Sequence, residues 1–92
     1  MYLEIVSPEA TLFKGEVTSI AVPGINGEFE LLKDHAPIVS LLKEGNVKIY
    51  GDISLEEEVK DKFTTGSDKA TWLAINSGTL EINNNKVIVL AD

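Results

Sequence analysis

Cysteine and arginine do not occur in this 92-residue chain, and histidine, tryptophan and methionine each occur once. Without cysteine there is no disulfide and no thiolate metal site to reinforce a small core. One histidine and no cysteine also leave too few ligands for an ordinary zinc centre. Long apolar runs are missing as well. The longest, Val87 to Ala91, is far too short to cross a bilayer. The opening MYLEIVSPEA has neither the basic start nor the apolar stretch of a secretory signal. Positive charge is scarce: eight lysines face fifteen acids, for a net charge of −7. Nucleic acid is therefore a poor partner, since its affinity comes mainly from basic side chains that release counterions. Direct docking on anionic lipid is disfavoured by the same sign of charge. A chain of this size makes one small domain, residues 1–92, with roughly 64% of its surface buried by the usual scaling.

Catalytic constellations are equally sparse. His35 is the only candidate general base, and no G-x-S-x-G elbow accompanies it. A loop residue whose ring nitrogens satisfy backbone groups is the simpler account. Paired carboxylates need a cleft that drives their pKa values apart, whereas these acids sit at alternating strand positions or in turns. Glu56-Glu57-Glu58 lacks the spacing of an oxygen cage around a cation and reads as a solvated charge run. Gly24-Ile25-Asn26-Gly27 resembles a phosphate clamp, but neither a P-loop lysine nor a basic flank accompanies it. The residues describe a binding module with no cofactor and no metal.

What the chain does have is short apolar segments punctuated by turn residues. Tyr2–Val6, Thr11–Phe13, Glu16–Val22, Glu28–Leu31, Ile38–Leu42, Val47–Tyr50, Ala70–Asn76, Thr79–Ile82 and Lys86–Leu90 read as about nine strands or strand-like runs at the close spacing of an antiparallel sandwich or barrel. Pro23 to Gly27 predicts a turn in which two glycines supply positive φ. Asn83-Asn84-Asn85 predicts another, because asparagine tolerates left-handed angles. Between residues 51 and 69 the pattern weakens. Leu55, Val59 and Phe63 recur at i, i+4, i+8, which predicts a short helix near 55–63, with a ragged hairpin as the alternative.

The stretch Val22–Leu42 concentrates two of the three prolines, two of the seven glycines and the histidine. Its blocks, Val22-x-Gly24-x-x-Gly27-Glu28-Phe29-x-Leu31 and His35-Ala36-Pro37-Ile38-Val39, are followed by Leu42-x-x-Gly45-x-Val47-x-Ile49. With Leu3-x-Ile5-Val6-Ser7-Pro8-Glu9 before them and Val87-x-Val89-Leu90-Ala91-Asp92 at the end, they resemble the N-terminal domain of the F-type ATP synthase epsilon subunit. The resemblance covers most of the chain outside residues 51–71, which are longer than the family's usual hairpin there.

That resemblance implies an all-β fold: a ten-stranded antiparallel sandwich of two five-stranded sheets. It implies a non-catalytic subunit of the central stalk on the cytoplasmic side of the membrane. There it would pack on the gamma subunit, touch the c-ring loops and couple proton flow to ATP synthesis. By the same resemblance the partner surface would comprise Gly24, Ile25, Asn26, Gly27, Glu28 and Phe29 facing the ring, with His35 and Ser7 near the same surface or gamma. Most members continue into a C-terminal helical hairpin that inhibits the enzyme or binds ATP. Asp92 stands where that hairpin would begin, so a chain complete there would lack those functions. An unrelated acidic β-sandwich adaptor is the alternative.

Overall fold

The computed structural model describes residues 1–92, which form ten strands and a single 3₁₀ turn. The strands are β1 (Tyr2–Val6), β2 (Thr11–Glu16), β3 (Ser19–Gly24), β4 (Gly27–Leu31), β5 (Ile38–Leu42), β6 (Gly45–Tyr50), β7 (Phe63–Thr65), β8 (Thr71–Ile75), β9 (Gly78–Asn83) and β10 (Lys86–Ala91). The period-2 patterning works as alternation should. In β1 the side chains of Leu3 and Ile5 point inward. In β6 these are Val47 and Ile49, in β9 Leu80 and Ile82, and in β10 Val87 and Val89, all closed off from solvent. These residues meet in one continuous apolar core. At about 25 cal/mol per Å² such burial is the main force holding so small a domain together.

Hydrogen bonding links all ten strands, in the order β2-β1-β10-β9-β5-β3-β6-β8-β7, with β4 on the free side of β3. The joint between β5 and β3 is a single residue pair, Gly24 with Leu42. On one side of it lie β2, β1, β10, β9 and β5; on the other β4, β3, β6, β8 and β7. The expected division into five and five is thus visible, but the halves remain stitched at one corner rather than being separate sheets. The sandwich is also not wholly antiparallel, because β1 runs parallel to β10 with Tyr2 opposite Lys86 and Val6 opposite Leu90. Along β3 the alternation vanishes: every residue from Ser19 to Gly24 is buried, because its outward set is small, Ser19, Ala21 and Pro23, and stands in register with the longer side chains of Tyr50, Lys48, Glu30 and Glu28.

The helix expected near 55–63 does not form. Val59 and Phe63 are buried and Leu55 half-buried, so the spacing did mark core residues. The backbone, however, makes a turn and then one 3₁₀ turn, Lys60–Lys62, without a side-chain cap at Val59. A helix this short lacks the hydrogen bonds to repay its nucleus. Phe63 is already extended, at φ −109° and ψ 154°, and β7 pairs with β8 from Phe63 opposite Leu73 to Thr65 opposite Thr71. The hairpin alternative therefore describes residues 63–75. Gly24 also departs from expectation: positive φ occurs at Gly27 (124°) but not at Gly24. Asn84 and Asn85 take the left-handed angles foreseen for them, at 52° and 62°.

Candidate interaction surface

The β3–β4 hairpin turns through two residues, Ile25 and Asn26, with Gly24 opposite Gly27 and Pro23 opposite Glu28. Gly27 supplies the positive φ that a side chain resists. Gly24 is needed for closeness: a Cβ there would lie 2.7 Å from the Phe29 ring and 2.9 Å from the Gly27 carbonyl oxygen. Two backbone bonds then tie the hairpin to the end of β5. The Ile25 N–H donates to the Leu41 carbonyl at 3.3 Å, and the Lys43 N–H donates to the Pro23 carbonyl at 2.8 Å. Ile25 and Asn26 project into solvent, while Phe29 turns back and packs against the core.

Beside this hairpin lies the outward face of the first five-strand half. Residues opposite one another in a ladder point to the same side, so the register aligns Val6, Leu90, Thr79 and Leu41 in one outward row. The neighbouring row carries Glu4, Ile88, Glu81 and Val39. Val39 is 74% exposed, Leu41 57%, Ile25 55% and Leu90 52%. Large apolar side chains gathered on one face and rimmed by charge mark an interaction site. Only Ile25 among these was singled out in the sequence. A signal for the others existed: Ile38–Leu42 and Val87–Ala91 are apolar at both alternations, whereas a strand with one solvated face should be polar at every second residue.

The remaining candidates fall at two different ends. Gly24, Leu42, Gly78 and Ala91 follow one another across the ladders, and Val6 sits beside Leu90. Ser7 therefore shares the hairpin's end of the sandwich. Its hydroxyl closes a local turn, donating to the Ala10 carbonyl at 3.2 Å. His35 does not join them. β5 runs from Ile38 to Leu42, a span of about 13 Å at 3.3 Å per residue, and His35 precedes Ile38. The Asp34 N–H donates to Asn85 Oδ1 at 3.1 Å, which fixes that loop to the opposite end. The His35 Nδ1 donates to the Ala36 carbonyl at 2.7 Å, a ring nitrogen satisfying backbone as expected.

On the outward face of the second half, charged and aromatic groups interlock. Lys48 Nζ lies 3.0 Å from Glu28 Oε1 and 4.6 Å from the centroid of the Trp72 ring. Trp72 Nε1–H donates to Asp68 Oδ1 at 3.1 Å, the Ala70 N–H donates to the same oxygen at 3.0 Å, and the Tyr50 hydroxyl donates to Asp68 Oδ2 at 2.9 Å. The Ala70 amide, with the phenol and indole, holds the Asp68 carboxyl below its usual range. The hydrogen bond to Asp68 in turn pushes the Tyr50 phenol up. Gly66 backs this clasp, since a Cβ there would fall 2.2 Å from the indole. The acidic run is exposed, with Glu57 paired to Lys60 at 3.1 Å.

Fold and surface together define an all-β interaction module whose recognition groups are an apolar sheet face and a tight hairpin. Similarity to known proteins makes the class specific. The family model for the ATP synthase delta/epsilon chain β-sandwich domain matches residues 1–92. The ATP synthase epsilon chain of Chlorobium limicola is 37% identical over 90 residues, covering 98% of this chain and 86% of its own. That of Campylobacter concisus is 37% identical over 92 residues, covering 100% of this chain and 60% of its own. Two solved assemblies share the fold. One is the central stalk and c-ring of the Tetrahymena thermophila mitochondrial ATP synthase, with TM-score 0.76, 10% identity, and 98% of this chain against 61% of that one. The other is the OSCP/F1/c-ring assembly of the Euglena gracilis mitochondrial enzyme, with TM-score 0.72, 17% identity, and 97% against 48%. The chain belongs to the ATP synthase delta/epsilon β-sandwich family.

Proposed function

We propose that this chain is part of a central-stalk, rotor subunit of the proton-translocating F-type ATP synthase, its β-sandwich domain joining the gamma subunit to the c-ring. It contributes no catalytic group; ATP chemistry resides in other subunits of the complex. The observation that carries this reading is the exposed apolar face of Val39, Leu41 and Leu90, continuous with Ile25 of the hairpin, in a chain of this family. Such a face on an acidic domain calls for a protein partner, and gamma is the partner assigned to it. The hairpin end, with Ser7, meets the cytoplasmic loops of the c-ring. His35, at the far end, is left to gamma. No helix of the chain is long and apolar enough to cross a membrane. As a stalk subunit it is held at the cytoplasmic side of the membrane through its partners.

The reading is tested by capture of gamma from the same organism, followed by deletion. Binding to gamma is expected. Loss of the subunit should abolish ATP-driven proton pumping in membrane vesicles and leave the soluble ATPase active. A chain that does not bind gamma, or a deletion that leaves pumping intact, refutes it. The alternative of an unrelated adaptor falls with the family match.

A further inference from the structure

Six asparagines occur in the chain, and one of them, Asn26, is followed by glycine. Asparagine is among the chemically labile residues, because its side-chain carbonyl can close a five-membered ring with the backbone nitrogen of the next residue. A side chain on that next residue, a hydrogen bond fixing the amide, or a rigid ladder around the nitrogen hinders the closure. All three restraints are weak at Asn26, which is exposed at the turn between β3 and β4. Gly27 has no side chain, and nothing lies within 4 Å of where its Cβ would stand. The two backbone bonds that anchor the turn use Ile25 and Pro23, and no side-chain hydrogen bond involves the Asn26 amide. Gly24 and Gly27 form the last rung of the ladder, so freeing the Gly27 nitrogen undoes only the end of the hairpin, the part that opens most readily. A hollow of about 290 Å³ between the turn and Ser40 admits water, whose own share of liquid volume is about 30 Å³.

The other asparagines are more restrained. Asn46 is half-buried within β6 and precedes the β-branched Val47. Asn76 precedes Ser77, whose hydroxyl donates to Asp92 Oδ2 at 2.8 Å and whose carbonyl accepts the Asp92 N–H at 3.0 Å. Asn83 and Asn84 precede asparagines, and Asn85 precedes Lys86 with its Oδ1 held by the Asp34 N–H at 3.1 Å.

We infer that Asn26–Gly27 is a self-modification site, at which the chain converts the Asn26 amide to a carboxylate while its hairpin end is free, with water as the only co-reactant. The Gly27 nitrogen loses its proton to solvent and bonds to Asn26 Cγ; the Cγ–Nδ2 bond breaks, and the departing nitrogen leaves as ammonia. Water then opens the cyclic imide. Attack at Cγ breaks its new bond to Gly27 and gives aspartate. Attack at the Asn26 backbone carbonyl carbon breaks the original peptide bond and gives isoaspartate, with the chain now running through Cβ and Cγ. Nothing is oxidised or reduced. Isoaspartate adds a backbone atom to a two-residue turn, so Gly24 and Gly27 lose their register. Either product adds a negative charge to an end of the sandwich that already carries Glu28, Glu44 and Asp92. That a seated partner holds the turn shut and arrests the reaction rests on the proposed function; the chemistry at Asn26 does not.

The test incubates the full chain at mildly alkaline pH and follows each asparagine by the mass gain from amide to acid, with isoaspartate scored by an isoaspartate methyltransferase. Asn26 is expected to convert at least about tenfold faster than Asn76, and within about tenfold of its own rate in the guanidinium-unfolded chain, one decade being a modest change in barrier. The rate should rise with pH, since the attacking nitrogen must shed its proton. Asn26→Ser should remove the signal, and Asn26→Gln, which would need a six-membered ring, should slow it strongly; both change an exposed position and keep the fold. An Asn26 that stays intact in the folded chain after the unfolded chain has converted overturns the inference, as does faster conversion at any other asparagine. Bound to an isolated assembly of gamma and c-ring, the chain should convert at least about tenfold more slowly than when free. Equal rates in bound and free chain refute the docking of the hairpin end, and failure to bind refutes the stalk reading, whereas the rates in the free chain alone decide the site.

Discussion

Replacing Gly24 by alanine puts the hairpin geometry to a quantitative test. The new Cβ would lie 2.7 Å from Phe29 Cε1 and 2.9 Å from the Gly27 carbonyl oxygen. The ring can swing aside, but the carbonyl moves only if the Gly24–Gly27 pair opens. Overpacking of this kind costs about 1–3 kcal/mol, and alanine returns about 0.4–1 kcal/mol by restricting the unfolded chain. A net destabilisation of roughly 1.3 kcal/mol follows at mid-range, with about 2.6 kcal/mol as the upper end. With a urea m-value of about 1 kcal/mol/M for so small a domain, the midpoint should fall by roughly 1.3 M. A second readout localises the damage. The Ile25 and Lys43 amides hang on this hairpin, so their hydrogen exchange should accelerate before that of core amides such as Val47. Gly27→Ala provides the contrast, because nothing lies within 4 Å of its Cβ position and only the φ of +124° resists it. A Gly24→Ala protein with an unmoved urea midpoint and unchanged exchange at Ile25 and Lys43 would refute the close-approach argument.

Two further outcomes are expected. Leu41→Asp changes an exposed position and should leave thermal stability within about 0.5 kcal/mol, while capture of gamma drops at least about tenfold because a lone charge would be buried; retained capture would remove Leu41 from the interface. Asp68 has a native pKa below its reference of 3.8, so the clasp's contribution is in place above pH 3.8 and is lost as pH falls through the lower native value. Tyr50 works in the opposite sense: its native value lies above 10.0, so its contribution is full below pH 10.0 and lost as pH rises through the raised value. Trp72 emission should report both transitions, with Asp68→Asn abolishing the acid one and Tyr50→Phe the alkaline one. Emission that titrates unchanged in those variants would contradict the clasp.

The strands were largely legible because short apolar runs between turn residues mark them, and in β1, β6, β9 and β10 the burial follows period 2. β3 was harder. Its alternation of Ser19 and Ala21 against Ile20 and Val22 carried no information about solvent, since longer side chains of the flanking strands, Tyr50, Lys48 and Glu30, shield the small outward residues. Near residue 60 a true set of buried positions, Val59 and Phe63, imitated a helical period; length and the pairing of Phe63 with Leu73 decided against it. The hairpin was found by its glycines, although for Gly24 the cause is crowding and not a positive φ. His35 and Ser7 sit next to recognisable motifs, yet nothing local says that β5 separates them. Long-range register decides that, as it decides that Lys48 reaches Glu28. The parallel pairing of β1 with β10 was invisible for the same reason.

That parallel pair fixes an order of events during synthesis. β1 leaves the ribosome before the other nine strands, and apart from the adjoining β2 its only ladder partner is β10, the last of the ten. The first half therefore cannot close until residues 86–91 have emerged. Until then Leu3 and Ile5, later sealed in the core, lack the neighbours Val87 and Val89 that will cover them. Closure across nearly the whole chain is entropically late and slow, and the waiting edge is open to wrong partners. A substitution that weakens β10 should consequently be felt at the opposite end of the sequence, as nascent chains caught with β1 unpaired, even where the finished fold tolerates it.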